Sequence, residues 1–495
     1  ETVEAPLLFD STVDASIEVT GLTESGTELF DITDPQLPVH LIDTEQTATG
    51  LELATETDGK YFAVAPGDVR APTSIWNDVP SDLRNRANAA SYLIIAPAEL
   101  IATVQALADY RELDGFDTML VELQDVYDEY AHGTPDPNAI RAFLADAHER
   151  WETFPDFVTL IGKGSFDYRD LWGAGGNLFP PLMTLTNGGI LSSDTKYADF
   201  LGDDGIPDVS LGRIPVTSAS ELQSVIEQIV AYEAQIDALP NEVALLADAT
   251  DLQSDFAGSA DSAAEDLPSD WSVSSIYRSE LPDLESTRAL LFDEVRKGPR
   301  VLGYFGHGAL ESLGKTETLL AVADLETMTI DGTQPVFASM TCVSSRFAAP
   351  GFSSLGEAML IDEEGAIAVW GPSGLSINEQ ATPLMHELLA QMSAGKETRI
   401  GHMVGEAFAV LDGSEHAREM MAIYHLFGDP ALRVAKVSDT GGTGGSPGVG
   451  GSGGNGGVGS GVVMAGCNVR PVSGNTPAAL LFIGTLALVL RRRRA

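Results

Sequence analysis

The sequence predicts an α/β protein: two adjoining α/β units with mostly parallel sheets, preceded by a small β-rich region. From about residue 86 to 436, short apolar runs alternate with amphipathic helical segments, the pattern of βαβ units. Residues 1–85 contain only short strand-like runs. Hydrophobic residues make up 44% of the 495 residues, which is enough to build extended cores and excludes wholesale disorder.

The first region, residues 1–85, is predicted to be all β. Segments such as SIEVTGL and YFAVAPG are rich in β-branched or aromatic residues and are separated by Gly, Pro, Asp and Thr. A small β-sandwich-like domain is therefore expected. It contains no constellation of reactive side chains, so its expected role is packing or that of a pro-region.

The first α/β unit is predicted over residues 86–238. Asp136 followed by Pro137 is typical of a helix start, and the segment 219–235 has apolar residues at helical spacing. The strands are predicted at SYLIIAP (91–97), FDTMLVEL (116–123), FVTLIGK (157–163) and DVSLGRIPV (208–216).

The second α/β unit is predicted over residues 239–436. Helices are expected at 284–298 and 353–361, and the unit closes with HLFGDPALRV (425–434). Its strands are predicted at EVALLADA (242–249), RVLGYFGHG (300–308), QPVFASMTC (334–342) and GAIAVWGPS (365–373).

The charge balance excludes one class of partner. The chain has 73 acidic and 28 basic residues, a net charge of −45. Five of the basic residues lie in the last 29 residues, which contain no acid, so residues 1–466 carry a net charge of −50. Such a surface repels phosphate backbones, and no nucleic-acid partner is expected. Solubility in a salty medium is the preferred explanation.

The C-terminal tail predicts export. Residues 437–466 form a Gly/Ser-rich flexible linker, and residues 467–495 combine Cys467, a 14-residue apolar run and four consecutive Arg residues. As a helix that run would span roughly 21 Å, against roughly 30 Å for the hydrocarbon layer. The order resembles tripartite bacterial sorting tags, which a sorting protease cuts near the motif; a plain anchor in the bacterial membrane is the alternative.

The start of the chain and its cysteines fit the same view. The chain begins at Glu1 rather than Met, so we expect a removed signal peptide or a fragment. The two cysteines, Cys342 and Cys467, lie in segments of very different character, so no disulfide framework is expected. The expected location is the cell surface, the outer envelope or the medium.

Two reactive residues follow apolar strands of the second unit. His307 comes after VLGYFG, and Cys342 comes after PVFASMT. If the strands are neighbours, an imidazole can activate a thiol for attack on a carbonyl, while the N–H groups of Gly308 and Cys342 hold the oxyanion. Taken alone, a strand-end Cys is usually a small buried hydrophobe, and a His between glycines is often a turn residue.

The motifs around these residues resemble the gingipain-type cysteine peptidases, whose catalytic domain has a caspase-like fold. The resemblance rests on YFGHG, PVFASMTC, GAIAVWGPSG, LIGKGSFDYRD, SSDTKYADFLGDDGIPDVSLGRIPV and FGDPAL, and it covers roughly residues 86–436. It implies that His307 is the general base, that Cys342 is the nucleophile, and that main-chain donors lie at Gly308 and Cys342. It also implies a thioester acyl-enzyme, protein or peptide substrates and no required cofactor.

The resemblance further implies a substrate pocket. In members specific for basic residues, the Asp of the Ser-Asp-x-x-Tyr segment lies in the pocket for Arg or Lys, and here that position is Asp194. Trp370 is a candidate wall of the same pocket, with a core position as the alternative. Family members can orient the His with a Glu ahead of this segment, but the corresponding stretch here, PPLMTLTNGGILS, contains no acid. Either another acid orients His307 or the site is a dyad.

A structural calcium ion is a further expectation. Asp203, Asp204 and Asp208 are close in sequence and offer oxygen ligands, although their spacing does not match an EF-hand loop. Two functional alternatives remain open at the level of sequence. One is an inactive surface or adhesion protein on the same fold. The other is a processing enzyme or transpeptidase that acts on exported proteins.

Overall fold

The protein divides into two compact units, Glu1–Ser81 and Asp82–Ala495. The computed structural model describes residues 6–436 except 13–14, 36, 72–74, 76, 78, 203 and 252–253. No helix within these described stretches is long and apolar enough to cross a membrane. The predicted linker and the predicted sorting segment with Cys467 lie outside the described residues.

The N-terminal unit consists of two small antiparallel sheets, which agrees with the β-rich region expected from the sequence. One sheet has the order β1-β7-β3-β4 and the other the order β2-β6-β5. The larger residues of its small core are Leu22, Leu29, Leu51, Leu53 and Tyr61. The strands are β1 (Leu7–Asp10), β2 (Ala15–Thr20), β3 (Glu28–Asp31), β4 (Val39–Leu41), β5 (Glu45–Gln46), β6 (Gly50–Thr55) and β7 (Lys60–Val64).

The second unit is built on one ten-stranded sheet that contains strands of both predicted α/β units. Its order is β15-β14-β16-β19-β20-β21-β13-β10-β8-β9. In chain order these strands are β8 (Tyr92–Ala96), β9 (Thr118–Glu122), β10 (Phe157–Ile161), β13 (Ser210–Ile214), β14 (Glu242–Ala247), β15 (Ser272–Tyr277), β16 (Val301–Phe305), β19 (Val336–Met340), β20 (Ala368–Pro372) and β21 (Tyr424–Phe427). Two antiparallel strand pairs lie outside the large sheet: β11 (Met183–Thr186) with β12 (Gly189–Ser192), and β17 (Ser312–Leu313) with β18 (Leu320–Ala321).

The large sheet has two parallel halves that run in opposite directions. Neighbours pair in parallel throughout except for β20 and β21, which pair in antiparallel register with Trp370 opposite Leu426. β21 is in turn parallel to β13, where Phe427 pairs with Arg213. The carboxyl ends of β14, β16, β19 and β20 therefore share one edge of the sheet, and those of β8, β9, β10 and β13 share the other.

Helices cover both faces of this sheet. In β8, Tyr92, Ile94 and Ala96 belong to one hydrophobic core, while Leu93 and Ile95 belong to another. This alternation explains the unbroken apolar runs seen in the sequence, since both faces of a covered parallel sheet are buried. The helices are α1 (Ala98–Leu113), α2 (Leu123–Ala131), α3 (Pro137–Arg150), α4 (Thr195–Ala198), α5 (Ala219–Glu233), α6 (Phe256–Ala263), α7 (Leu284–Lys297), α8 (Leu355–Ile361), α9 (Asn378–Ala394), α10 (Ile400–Ala409) and α11 (Glu415–Ile423).

A buried ionic network fastens the closing FGDPAL motif to the first half of the sheet. Arg111 at the end of α1 donates from Nε to Asp429 at 2.7 Å and pairs with Glu233 of α5 at 3.0 Å. Tyr92 Oη donates to the same Asp429 at 3.0 Å. Because the Arg111 side chain is fully buried, its charge requires both carboxylates. The closing motif is thus a structural one.

Candidate active site

His307 and Cys342 occupy equivalent positions at the ends of neighbouring strands. β16 and β19 pair in parallel, and their last residues, Phe305 and Met340, are register partners. His307 and Cys342 each lie two residues beyond these partners. The two residues therefore leave the same edge of the sheet from adjacent strands, which is the placement that the strand-end argument requires.

The turns that carry the two residues are in direct contact. Thr341 Oγ1 donates to the carbonyl oxygen of Gly306 at 2.8 Å. A Cβ atom on Gly308 would lie only 2.6 Å from the carbonyl oxygen of Cys342, so the close approach of the two backbones requires glycine there. The sequence YFGHG therefore provides a glycine where the His turn meets the Cys turn.

The N–H group of Gly308 points away from its own hairpin. Gly308 pairs with Leu313 in an isolated antiparallel bridge. The bridging hydrogen bonds come from Ala309 N–H and Gly314 N–H, not from Gly308 itself. Within the described part of the chain, no acceptor receives the Gly308 N–H. This N–H is available to a negatively charged oxygen beside Cys342, as the oxyanion prediction requires.

An acid that the sequence analysis did not identify holds the imidazole of His307. Its Nε2 atom lies 3.0 Å from Oδ2 of Asp251, and Phe256 packs edge-on against the ring at a centroid distance of 5.2 Å. Lys315 Nζ donates to the same Asp251 oxygen at 3.1 Å. With Nε2–H donated to the carboxylate, the lone pair of the neutral ring lies on Nδ1.

Asp248, at the end of β14, fixes the backbone of the same turn. Its Oδ2 atom accepts the N–H of His307 at 3.4 Å, and its Oδ1 atom accepts the N–H of Ala249 at 2.8 Å. Burial raises the pKa of the Asp248 carboxyl. Tyr304 completes the support by donating from Oη to the carbonyl oxygen of His307 at 2.7 Å. The His turn is therefore held on its N–H, its carbonyl and its ring.

Cys342 is buried at 2% exposure, and its Sγ atom lies 3.8 Å from the carbonyl oxygen of Ser376. The other cysteine of the chain, Cys467, lies outside the described residues.

The residue after the cysteine has a strained backbone. Val343 has a φ of 50°, in the left-handed region that β-branched residues rarely adopt. Its N–H donates to the carbonyl oxygen of Gly374 at 2.8 Å, which ties this turn to the segment following β20. Such strain costs about 1–3 kcal/mol and concentrates at functional sites. The sharp turn directs the chain away from the strand immediately after Cys342.

Asp194, the predicted pocket acid, forms a bidentate pair with an arginine of the protein itself. Arg213 Nε and Nη2 donate to its two carboxylate oxygens, each at 2.7 Å. Arg213 is fully buried and also donates to the carbonyl oxygens of Gly162 and Phe179. Since a guanidinium already occupies both oxygens, we do not retain Asp194 as the group that recognises a substrate cation.

Trp370, the predicted pocket wall, is fully buried in β20. Its ring packs between Phe408 and Tyr424 at centroid distances of 5.7 Å each. This is the core position that the sequence analysis gave as the alternative.

The predicted calcium ligands are engaged with backbone N–H groups where the structure describes them. Asp204 accepts the N–H of Ile206 at 2.9 Å. Asp208 accepts those of Phe200 and Leu201 at 2.9 and 2.7 Å, and burial raises its pKa. Asp203 lies outside the described residues, and calcium binding stays a prediction. Over the described ranges, metal-ligand spacing occurs in Glu265, Asp266 and His386, of which the two acids are exposed.

Asp248 and Asp251 were not predicted from the sequence, because the acid that orients His307 was expected ahead of the Ser-Asp segment. The same strand-end argument that selected His307 and Cys342 would have found them. Asp248 directly follows the apolar run EVALLA, Asp251 lies three residues further on, and β14 is the other neighbour of the His-bearing strand β16. The missing information was which strands are adjacent.

Comparison with known protein sequences identifies a peptidase family and relatives within it. The family model described as peptidase family C25 matches residues 85–435. Gingipain R2 from Porphyromonas gingivalis is 22% identical over 372 residues, which cover 70% of this chain and 46% of that protein. Gingipain R1 from the same organism is also 22% identical, and 34% of its length is covered. The chain thus spans less than half the length of these curated relatives.

Solved structures share the fold. The complex of the pro- and mature domains of Porphyromonas gingivalis RgpB matches with a TM-score of 0.57 and 17% identity, covering 70% of this chain and 80% of that one. The Arg-specific cysteine proteinase gingipain R (RgpB) matches with a TM-score of 0.55 and 16% identity, covering 73% and 81%. These likenesses establish the gingipain-type, caspase-like fold of the second unit. Together with the family match over most of the chain, they show that the protein belongs to peptidase family C25.

Proposed function

We propose that this protein is an exported cysteine endopeptidase that hydrolyses peptide bonds through a thioester acyl-enzyme. The observation that carries the proposal is the placement of His307 and Cys342 at register-matched ends of the adjacent strands β16 and β19. The N–H of Gly308 lies in the same turn, beside the Cys342 backbone. Nucleophile, base and oxyanion donor thus come from two contacting turns.

The chemistry needs no group beyond these residues and a reduced Cys342. The Nδ1 atom of His307 takes the thiol proton, and the thiolate attacks the scissile carbonyl carbon. The oxyanion is held by the N–H groups of Gly308 and Cys342. Collapse breaks the C–N bond, and the imidazolium protonates the departing amine. Water then attacks the thioester and gives its proton to His307, which releases the acid and restores the thiol.

Asp251 acts as a positioning residue in this scheme. Its carboxylate receives the Nε2–H of His307, which fixes the ring orientation and leaves Nδ1 as the atom that accepts the thiol proton. The same carboxylate stabilises the imidazolium that forms during attack. Lys315 and the edge of the Phe256 ring hold this arrangement from two further directions.

Export and processing form the second part of the proposal. The Gly/Ser-rich linker, Cys467, the apolar run and the terminal Arg cluster support a segment that a sorting protease cuts or that stays in the bacterial membrane. Mass spectrometry of the mature protein from its native envelope tests this. A C-terminus near Cys467 supports processing, and a retained Arg cluster supports the anchor.

The activity is tested by profiling a peptide library with the full chain in the presence of a thiol reductant. We expect internal peptide bonds to be cleaved by the parent and not by Cys342→Ser or His307→Asn. Cleavage that survives Cys342→Ser, or a folded parent that cleaves nothing, contradicts the proposal and favours the inactive surface protein. Adding an amine nucleophile to the assay separates hydrolysis from transfer, because a transpeptidase gives the amide product.

A further inference from the structure

The segment that follows β20 lies beside the nucleophile and contains one exposed apolar side chain. The carbonyl oxygen of Gly374 accepts the N–H of Val343 at 2.8 Å, and the carbonyl oxygen of Ser376 lies 3.8 Å from Cys342 Sγ. Leu375 stands between these two contacts. Its side chain is 48% exposed, whereas Gly374 and Ser376 are buried.

The position of Leu375 is fixed by its surroundings. Ser376 Oγ and Tyr424 Oη are hydrogen-bonded at 2.9 Å. Ser373 Oγ donates to the carbonyl oxygen of Ser192 at 2.8 Å, which binds the segment to the β11–β12 hairpin. The tip of that hairpin reaches Leu375, because a Cβ on Gly188 would lie 3.6 Å from Leu375 Cγ. Leu375 is therefore part of a rigid wall and not of a loose loop.

The hairpin itself is anchored from the other side. Glu419 of α11 accepts the N–H of Asn187 at the hairpin tip at 2.6 Å. Leu191 packs inward against Gly374, so that a Cβ atom added to Gly374 would lie only 2.4 Å from Leu191 Cδ1. Leu185 and Ile190 are register partners on the opposite face and are exposed. The inward face of the hairpin thus supports the Leu375 segment, and its outward face does not.

Two features determine the substrate class that this wall fits. The first is chemical: the exposed side chain between the two residues that contact the Cys342 turn is aliphatic, while both carboxylate oxygens of Asp194 are occupied by Arg213. The second is the backbone: among described residues no acceptor receives the N–H of Leu375, so this group is open to a carbonyl of an extended peptide. Burying an apolar substrate side chain against Leu375 is favourable, because it removes apolar surface of both from water. Leu375 provides no hydrogen-bond acceptor or negative charge for a guanidinium or ammonium group.

We propose that Leu375 is a specificity-determining residue that selects peptides with a large apolar side chain directly before the scissile bond, in preference to Arg or Lys. This inference rests on the proposed peptidase function and adds its substrate class. The hydrophobic contact discriminates on the order of 10-fold or more between side chains that fill the space against the wall and those that do not.

Two peptidyl acyloxymethyl ketones test the inference, one with Leu and one with Arg next to the reactive group. The rate of labelling at Cys342, mapped by mass spectrometry, is measured with reduced full chain. We expect the Leu probe to react about 10-fold faster and Leu375→Asp to lower or reverse this ratio. Leu185→Asp is the matched control, since it adds the same charge on the outward face of the hairpin and should leave the ratio unchanged.

The outcomes separate this inference from the peptidase proposal. A parent that prefers the Arg probe, or a folded Leu375→Asp variant with the parental ratio, overturns the role of Leu375 while the peptidase stands. A parent labelled by neither probe, or labelled equally fast in His307→Asn, overturns the peptidase and the specificity with it. Thermal unfolding midpoints of each variant confirm that the comparison is made between folded proteins.

Discussion

The Nε2 atom of His307 lies 3.0 Å from the Oδ2 atom of Asp251, so a residue beyond strand β14 holds the imidazole that follows strand β16. Asp248, on the same stretch of chain, holds the backbone N–H of His307. Three adjacent strand ends of one sheet edge thus provide the acid, the imidazole and the cysteine, in the spatial order β14, β16 and β19.

Asp251→Asn is expected to lower kcat on the order of 100-fold with little change in KM. Without the carboxylate the imidazolium loses its counter-ion and the ring loses its fixed orientation, so the thiol proton is transferred less readily. Initial rates of peptide hydrolysis over a range of substrate concentrations measure kcat and KM. Lys315→Met is the control, since it removes a neighbour of Asp251 and keeps the carboxylate, and it should change kcat much less. A parental kcat in Asp251→Asn would show that the contact is only structural.

Asp194→Asn is expected to reduce stability by about 3 kcal/mol, because it leaves the buried Arg213 guanidinium without its counter-ion. The measurement is urea unfolding of the full chain. Asp293→Asn provides the comparison: Asp293 pairs with Arg296 at 2.8 Å on the exposed surface, and its loss should cost less than about 1 kcal/mol. Equal stability of Asp194→Asn and parent, combined with a lost preference for basic substrates, would restore Asp194 as a pocket residue.

Val343→Asn is expected to raise the free energy of unfolding by about 1 kcal/mol, because Asn adopts the left-handed conformation more readily than a β-branched residue. Val343→Thr keeps the branched Cβ and should give no gain. The two variants are compared by urea unfolding. If Val343→Asn is less stable than Val343→Thr, the packing of the valine side chain outweighs the backbone strain at φ 50°.

The buried His425 is expected to make the protein less stable in acid. Burial lowers the pKa of His425 from 6.5 to about 4. Between these values the unfolded chain binds more protons, so stability falls as the pH falls from about 6.5 through 4, by on the order of 3 kcal/mol in total. His425→Gln does not titrate there and should lose less stability between pH 7 and pH 5.

The comparison between parent and His425→Gln removes the opposing effects of other groups. Burial raises the pKa values of Asp248 and Glu357. Because the folded protein then binds more protons at these carboxyls than the unfolded chain, they increase the stability of the protein as the pH falls. That gain is common to both proteins and cancels in the difference of their unfolding free energies. Identical pH slopes for parent and variant would show that His425 is not the source of the acid sensitivity.

Local sequence patterns were sufficient to predict the α/β class and the strands that carry His307 and Cys342. Parallel strands covered on both faces give unbroken apolar runs, and reactive residues follow directly at their carboxyl ends. Polar strand-end residues such as these stand out because nothing in the core requires them. The β-rich character of the N-terminal unit was predictable for a similar reason, since turn residues separate its short strands.

Contacts between residues distant in sequence could not be predicted in the same way. Asp251 lies 56 positions before His307, and only the adjacency of β14 and β16 brings them together. Asp194 was assigned to a pocket by its motif, but the Arg213 that occupies it comes from the GRIP segment of the same motif. A charged side chain can bind a substrate only if it is not already paired with another charged residue of the protein. A sequence motif does not show which residues form such pairs in the fold.

The pairing of His307 with Cys342 is tested most directly by the pH dependence of alkylation of Cys342. The reduced full chain is treated with iodoacetamide from pH 5 to 9, and carboxamidomethylation of Cys342 is quantified by mass spectrometry in the parent and in His307→Asn. We expect parental Cys342 to react already near pH 6 and Cys342 in His307→Asn to react on the order of 100-fold more slowly there. Identical rate profiles in the two proteins would contradict the pairing, because the sulfur would then react without the imidazole.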